Sequence, residues 1–198
     1  VGRQCPAPIE PRGLVANIEK GNGQLEIWGW TKVPQWNRSE LARQLGIPAE
    51  TIRIREVAVG GSFGMRGEFY PEDFLVPWSS LRLGRPVRWI EQRSEHFLAA
   101  NQGREQAHRA AIAGDQDGRI LAIRTDFRSD LGAYVRTSGV VAPRMTATMI
   151  AGPYSIQNTH ARCELVLTDR TPTGTYRGPG RVESCFVRER LIDIYANA

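Results

Sequence analysis

Apolar positions along the chain change their period several times, and each change marks an element. LVANIE (14–19) and QLEIWGW (24–30) are strand-like runs on either side of Lys20-Gly21-Asn22-Gly23, so they predict a β-hairpin. In SELARQLGIP, Leu41, Ala42 and Leu45 share one helical face, with Ser39 expected as the cap and Gly46 with Pro48 as the stop. TIRIREVAV (51–59) alternates like a strand and delivers the chain into the glycines of VAVGGSFGMRGEFYPED (57–73). EDFLVPWSSLRLG returns to helical spacing, and Pro77 is expected to kink or divide it.

Beyond that helix, PVRWIEQ reads as a strand and RSEHFLAANQGREQ as a loop or short helix. Residues 107–113 and 119–128 form a second strand pair around the turn at 114–118. SGVVAPRMTATMIAGPYSI is low in charge and reads as a buried helix leading to a turn at Gly152-Pro153. RCELVLT (162–168) is a further strand, PTGTYRGPGR a second glycine-rich loop, and SCFVRERLIDIYANA an amphipathic helix. Paired strands with helices between them give an α+β fold, with a sub-boundary expected near 100–118.

A length of 198 residues accommodates one ordinary domain or two small ones. No uninterrupted apolar run reaches the ~18 residues of a membrane-spanning helix. The opening VGRQCPAPIEPRG lacks a signal-peptide pattern and begins without methionine, so the true start is expected upstream. Cytoplasmic is the default location, with the periplasm as the alternative. The net charge of +5 comes almost wholly from arginine, since only Lys20 and Lys32 are lysine. Basic and acidic residues alternate, as in RSEHF and GREQAHR, which reads as a solvated surface; nucleic-acid binding would need a basic stripe. Cys5, Cys163 and Cys185 lack metal-site spacing and read as buried or half-buried thiols. His96, His108 and His160 read as surface or internally satisfied histidines, and no direct metal ligand is expected.

The two glycine-rich loops carry the candidate chemistry. Each is read as a strand, a run of small residues and then a helix, and backbone N–H groups freed at such junctions bind anions. The dinucleotide fingerprint GxGxxG is absent, as is the phosphate loop GxxxxGK[ST]. A plain structural turn remains the alternative.

Taken in order, TKVPQWNR, VGGSFG, YPED and GRPVRWIEQRSEHF resemble successive motifs of the molybdenum-cofactor-binding subunit of the xanthine dehydrogenase and aldehyde oxidase family. Its three-subunit branch includes aerobic carbon monoxide dehydrogenase. PIEPRGLVA upstream, and DLGAY, the GPY segment and TYRGPGRVES downstream, are similar to further blocks, so the resemblance covers nearly the whole chain. It implies part of a molybdenum-cofactor-binding domain in an enzyme that hydroxylates an aldehyde or N-heterocycle carbon with oxygen from water. It also implies a molybdenum-pterin cofactor in the molybdopterin cytosine dinucleotide form, and partners carrying a 2Fe-2S cluster and FAD.

Residue by residue, the resemblance puts the main-chain N–H groups of Phe63 and Gly64 beside an oxo ligand of molybdenum, with Gly60, Gly61 and Ser62 shaping the turn. Arg177 matches the arginine of the second loop, and Arg144 is expected to face a small-molecule substrate. Lys32 replaces the family's usual glutamine; it either favours an anionic ligand or turns outward. Gly67 stands where xanthine dehydrogenases carry an acidic residue, and Gly178 where carbon monoxide dehydrogenase carries a copper-binding cysteine, which disfavours both reactions. The general-base glutamate is expected outside this chain. The chain therefore reads as a fragment, inactive alone and prone to self-association, with no nucleic-acid or membrane partner. The alternative is a non-catalytic domain of the same fold that binds an anion or a partner.

Overall fold

Strands β1 (Gly13–Ile18) and β2 (Leu25–Gly29) pair antiparallel across the expected turn, with Leu14 opposite Gly29 and Ile18 opposite Leu25. The computed structural model describes residues 2–29 and 31–198, so Trp30, which the hairpin reading included, lies outside the described residues. The chain divides into two compact units: Pro6–Ala100, and Asn101–Ala198 together with the N-terminal residues through Cys5.

In the first unit, β1 also pairs antiparallel with β4 (Val87–Ile90), and β2 pairs parallel with β3 (Ile52–Arg55), giving the order β3-β2-β1-β4. Helix α1 (Pro34–Leu45) supplies the crossover between the parallel strands, and α2 (Pro71–Leu83) packs on β1. Leu14, Ala16, Leu25, Ile27, Leu41, Ala42, Ile52 and Val76 form the core, as the strand alternation and the helical face require. Helix α3 (Arg93–Ala99) follows β4.

Three local expectations change. Helix α1 begins at Pro34, whose fixed φ suits a first turn, so Ser39 lies inside the helix and its hydroxyl donates to the Gln35 carbonyl at 3.0 Å. Gly46 closes it with φ 68°, as its position suggested. Strand β3 stops at Arg55 because its pairing with β2 ends at Trp28–Arg55, which leaves residues 56–59 without a partner strand. Helix α2 runs unbroken through Pro77.

In the second unit, β5 (Gln106–Gly114) and β6 (Ile120–Asp130) form the expected antiparallel pair, and β7 (Asn158–Val166) joins β6 in parallel. Helices α4 (Val141–Thr148) and α5 (Arg181–Ala196) pack together and onto β7 and β5 respectively, around Ile123, Ile150 and Val187. The Tyr195 hydroxyl donates to the Asp115 carbonyl at 2.7 Å and fastens the end of α5 to the β5–β6 turn. No helix among the described residues is long and apolar enough to cross a membrane.

Candidate cofactor-binding loops

The first glycine-rich loop owes its course to backbone conformations that side chains rarely adopt. Gly61 has φ 106° and Gly64 φ 103°, and between them Phe63 takes φ 51° with its ring half exposed. A bulky residue in the left-handed region costs on the order of 1–2 kcal/mol, so the surrounding contacts must hold it there. Those contacts come from residues 8–11. A Cβ on Gly60 would sit 2.7 Å from that of Glu10, and one on Gly61 would sit 3.1 Å from that of Pro8. The Gly60 N–H donates to Glu10 Oε2 at 2.6 Å.

Buried Arg66, in the short 3-10 turn Met65–Gly67 after the loop, donates to the carbonyls of Gly61, Glu10 and Pro11, each at 3.0 Å. Burial lowers the affinity of its guanidinium for the proton, and Glu10 opposes that effect. Because this turn precedes α2, the loop does not feed directly into an α-helix as the shared strand–loop–helix reading expected.

Behind the loop, the segment 8–11 is anchored by a buried ionic network. Arg12 reaches Glu91 through Nε at 3.0 Å and Nη2 at 2.6 Å, and Glu72 through Nη1 at 3.3 Å. Its guanidinium lies 3.7 Å from the centroid of the Tyr70 ring. Glu91 also takes His96 Nδ1 at 2.8 Å, and His96 Nε2 lies 2.6 Å from the Pro6 carbonyl. Burial alone would raise the Glu91 carboxyl, but hydrogen bonds from His96 and Arg12 outweigh it and bring it down to about 2. Arg93 adds hydrogen bonds to the carbonyls of Pro8 at 2.6 Å and Ile9 at 2.8 Å. A cavity of about 50 Å³ in the same unit is lined by Arg12, Asn37, Arg66, Glu68 and Tyr70, but by none of residues 60–64, so it is not the seat the loop offers.

The second loop belongs to the other unit. Buried Arg104, itself at φ 76°, donates to the carbonyls of Arg177 and Gly178, pairs with Glu183 Oε1 at 3.5 Å and lies 4.5 Å from the centroid of the Tyr176 ring. Gly180 has φ 76°, and a Cβ there would meet the Ala142 carbonyl at 2.5 Å, so the loop enters α5 pressed against α4.

Of the residues expected to act, Gly61, Ser62, Phe63 and Gly64 share the first loop. Lys32 is exposed, and its backbone N–H donates to the Arg66 carbonyl at 3.1 Å, which ties the TKVP segment to that turn. Arg177 and Arg144 are both exposed, on the second loop and on α4. The reading of alternating charges as a solvated surface holds for Glu95 of RSEHF, which is exposed, but fails at Arg104 of GREQAHR. Arg104 is buried, as are Arg12, Arg66, Glu91 and Glu183, while buried His96 is internally satisfied, as expected of the histidines. Sequence reasoning missed these because nothing local separates a buried ion pair from a solvated one; the only signal was the place of Arg12, Glu91, His96 and Glu183 inside the family motifs, and Arg66 and Arg104 lay outside them. His108, stacked on Phe127 with ring centroids 4.7 Å apart, is internally satisfied, and burial pushes it down to about 4. Cys185 is exposed rather than buried, because it lies on the outer face of α5.

The N–H groups of Gly61, Ser62 and Phe63 meet no acceptor among the described residues, and buried Arg66 lies against the same loop, an arrangement that suits an anionic oxygen. Residues 1–198 match the family model of the molybdopterin cofactor-binding domain, and the chain belongs to that family. It is 37% identical over 97% of its length to the gamma subunit of the 6-hydroxypseudooxynicotine dehydrogenase complex of Paenarthrobacter nicotinovorans, covering 24% of that protein. It is 30% identical over 98% of its length to the carbon monoxide dehydrogenase large chain of Hydrogenophaga pseudoflava, again covering 24%. Among solved structures, quinoline 2-oxidoreductase from Pseudomonas putida 86 superposes with a TM-score of 0.95 at 37% identity, over 99% of this chain and 25% of that one. The chain thus spans about a quarter of the length of the relatives it matches.

Proposed function

We propose that this chain is part of the large subunit of a molybdenum hydroxylase that oxidises an aldehyde or N-heterocycle carbon, with water as the oxygen source. Electrons would pass to partner subunits carrying a 2Fe-2S cluster and FAD. The observation that carries the reading is the N–H of Phe63, which meets no acceptor among the described residues and is held at φ 51° between two positive-φ glycines, in a chain whose whole length matches the cofactor-binding family. The molybdenum-pterin, taken here as the cytosine dinucleotide form, would supply the redox centre when bound. The chain's own contribution is to hold that group. Main-chain N–H groups at Phe63 and Gly64 would donate to its oxygens, Gly61 and Ser62 would shape the turn, and Arg177 and Lys32 would add positive charge. Arg144 is assigned to the substrate. No catalytic residue is assigned within the chain; the general base belongs to the remainder of the subunit.

The exposed apolar side chains of Phe97 and Leu98 on α3, and of Phe186 on α5, are read as surfaces covered by that remainder or by a second copy. Lys32, exposed where the family motif carries glutamine, favours a second reading: a non-catalytic domain that holds an anion with the same loops. Metal and pterin analysis of the full-length protein separates the two. Molybdenum together with a pterin cytosine dinucleotide is expected, and a purified protein free of both would overturn the first reading. The 198-residue chain with added cofactor is expected to show no turnover.

A further inference from the structure

We propose that Arg66 and Arg104 are positioning residues, each holding carbonyls in or beside one glycine-rich loop so that unbonded N–H groups of that loop are left to an anionic ligand. Along the first loop, the Gly60 carbonyl accepts from the Glu10 N–H at 3.4 Å and the Gly61 carbonyl from Arg66 Nε at 3.0 Å. The Ser62 carbonyl accepts from the Met65 N–H at 3.1 Å, and the Gly64 carbonyl from the Gly67 N–H at 3.0 Å. The N–H groups of Gly61, Ser62 and Phe63, by contrast, meet no acceptor among the described residues. The second loop repeats the polarity. The Thr175 carbonyl accepts from Asn101 Nδ2 at 2.9 Å, and those of Arg177 and Gly178 accept from Arg104. The N–H groups of Tyr176, Arg177 and Gly178 meet no acceptor among the described residues.

This asymmetry has a physical use. A peptide loop offers as many carbonyls as N–H groups, and an anion is repelled by every carbonyl that faces it. A guanidinium is a planar fork of five donors with no acceptor, so one buried arginine can fix several carbonyls and place positive charge beside the unbonded N–H groups. Arg66 serves three carbonyls, one of them in the loop and two in residues 10–11; Arg104 serves two carbonyls and the Glu183 carboxylate. The two arginines arrive from unrelated places, one just after its loop and one far upstream of it. Arg104 accepts a left-handed backbone to do so. Lysine, a single point of charge on a flexible stem, cannot reproduce the fork.

That the anion is the molybdenum-pterin rests on the proposed function; the polarity of the loops does not. Hydrogen exchange by mass spectrometry on the full-length protein tests the polarity, with Arg66→Met, Arg66→Lys, Arg104→Met and Arg104→Lys. Exchange at the hydrogen-bonded amides of Gly60, Met65 and Gly67 is expected to rise about tenfold or more in the Arg66 variants, with those of Gly174, Thr175 and Arg181 unchanged, and the reverse in the Arg104 variants, while the unbonded amides of 61–63 and 176–178 exchange fast throughout. Lysine should restore solubility without restoring protection, so it decides the matter where methionine prevents folding. Wild-type exchange at the loop in the folded lysine variant overturns the proposal. Molybdenum and pterin content, measured in parallel, is expected to fall with loop protection. Full retention of both in a variant with a loosened loop overturns the positioning role. Their absence from the unsubstituted protein counts against the proposed function alone.

Discussion

His96 Nδ1 stands 2.8 Å from Glu91 Oε2, with both side chains withdrawn from solvent. The other ring nitrogen faces the Pro6 carbonyl, and Glu91 also holds the guanidinium and the backbone N–H of Arg12. Both ring nitrogens of His96 therefore have an oxygen partner inside the fold. This buried cluster fastens the segment on which the first glycine loop rests.

Acid should therefore loosen the first unit. Glu91 titrates near 2 in the folded chain against an ordinary 4.5, so its contribution is fully present above about pH 4.5 and is lost as pH falls through about 2. The shift corresponds to about 3 kcal/mol. Thermal melts between pH 7 and pH 2 should show this loss, and Glu91→Gln should be less stable at pH 7 with a flatter acid limb. An acid limb identical to that of the unsubstituted chain would contradict the assignment.

Replacing Arg12 tests the same network from the cationic side. Arg12→Met leaves Glu91 and Glu72 without their guanidinium partner and should cost about 3–5 kcal/mol. Arg12→Lys keeps the charge but loses the two-nitrogen contact with Glu91, and should fall between the two. Chemical denaturation gives both values, and a lysine variant as stable as the parent would show that the forked geometry is unimportant.

Backbone conformation at the first loop can be read from two substitutions. Gly64→Ala forces a side chain into φ 103° and should destabilise the chain by about 1–2 kcal/mol. Phe63→Gly removes the same strain at φ 51°, partly offset by the greater freedom of glycine in the unfolded chain, and should not lower the melting temperature. Equal losses from both would mean that Phe63 is held by its ring rather than tolerated despite its backbone.

In the second unit, Gly180→Ala is expected to be severe. Its Cβ would meet the Ala142 carbonyl, the Met145 Cβ and the Thr146 nitrogen at 2.5–2.6 Å, so α4 and α5 must separate. A loss above about 3 kcal/mol is expected, whereas Gly21→Ala, open on all sides, should stay within about 0.5 kcal/mol of the parent.

Lys32→Gln should leave stability unchanged within about 0.5 kcal/mol, because the side chain is exposed and the hydrogen bond to Arg66 uses its backbone. A clear fall in melting temperature would show that the ammonium group has a structural partner.

By itself the sequence determined the β1–β2 and β5–β6 hairpins, the helical faces, the stop at Gly46 and the two glycine-rich loops, because turn chemistry and apolar period are local properties of a few neighbouring residues. The order of its motifs also carried the family. It did not determine where β3 ends, which depends on the length of the partner strand, nor that β7 joins β6 in parallel. Nor did it show which charges are buried. Arg12 meets Glu91, His96 meets Pro6 and Arg104 meets Arg177 only once segments more than seventy residues apart in the chain are brought together. A charged residue in an alternating stretch looks solvated until its partner arrives. Tertiary structure alone could place Arg104 against the second loop, because those carbonyls take a donor from more than seventy residues away.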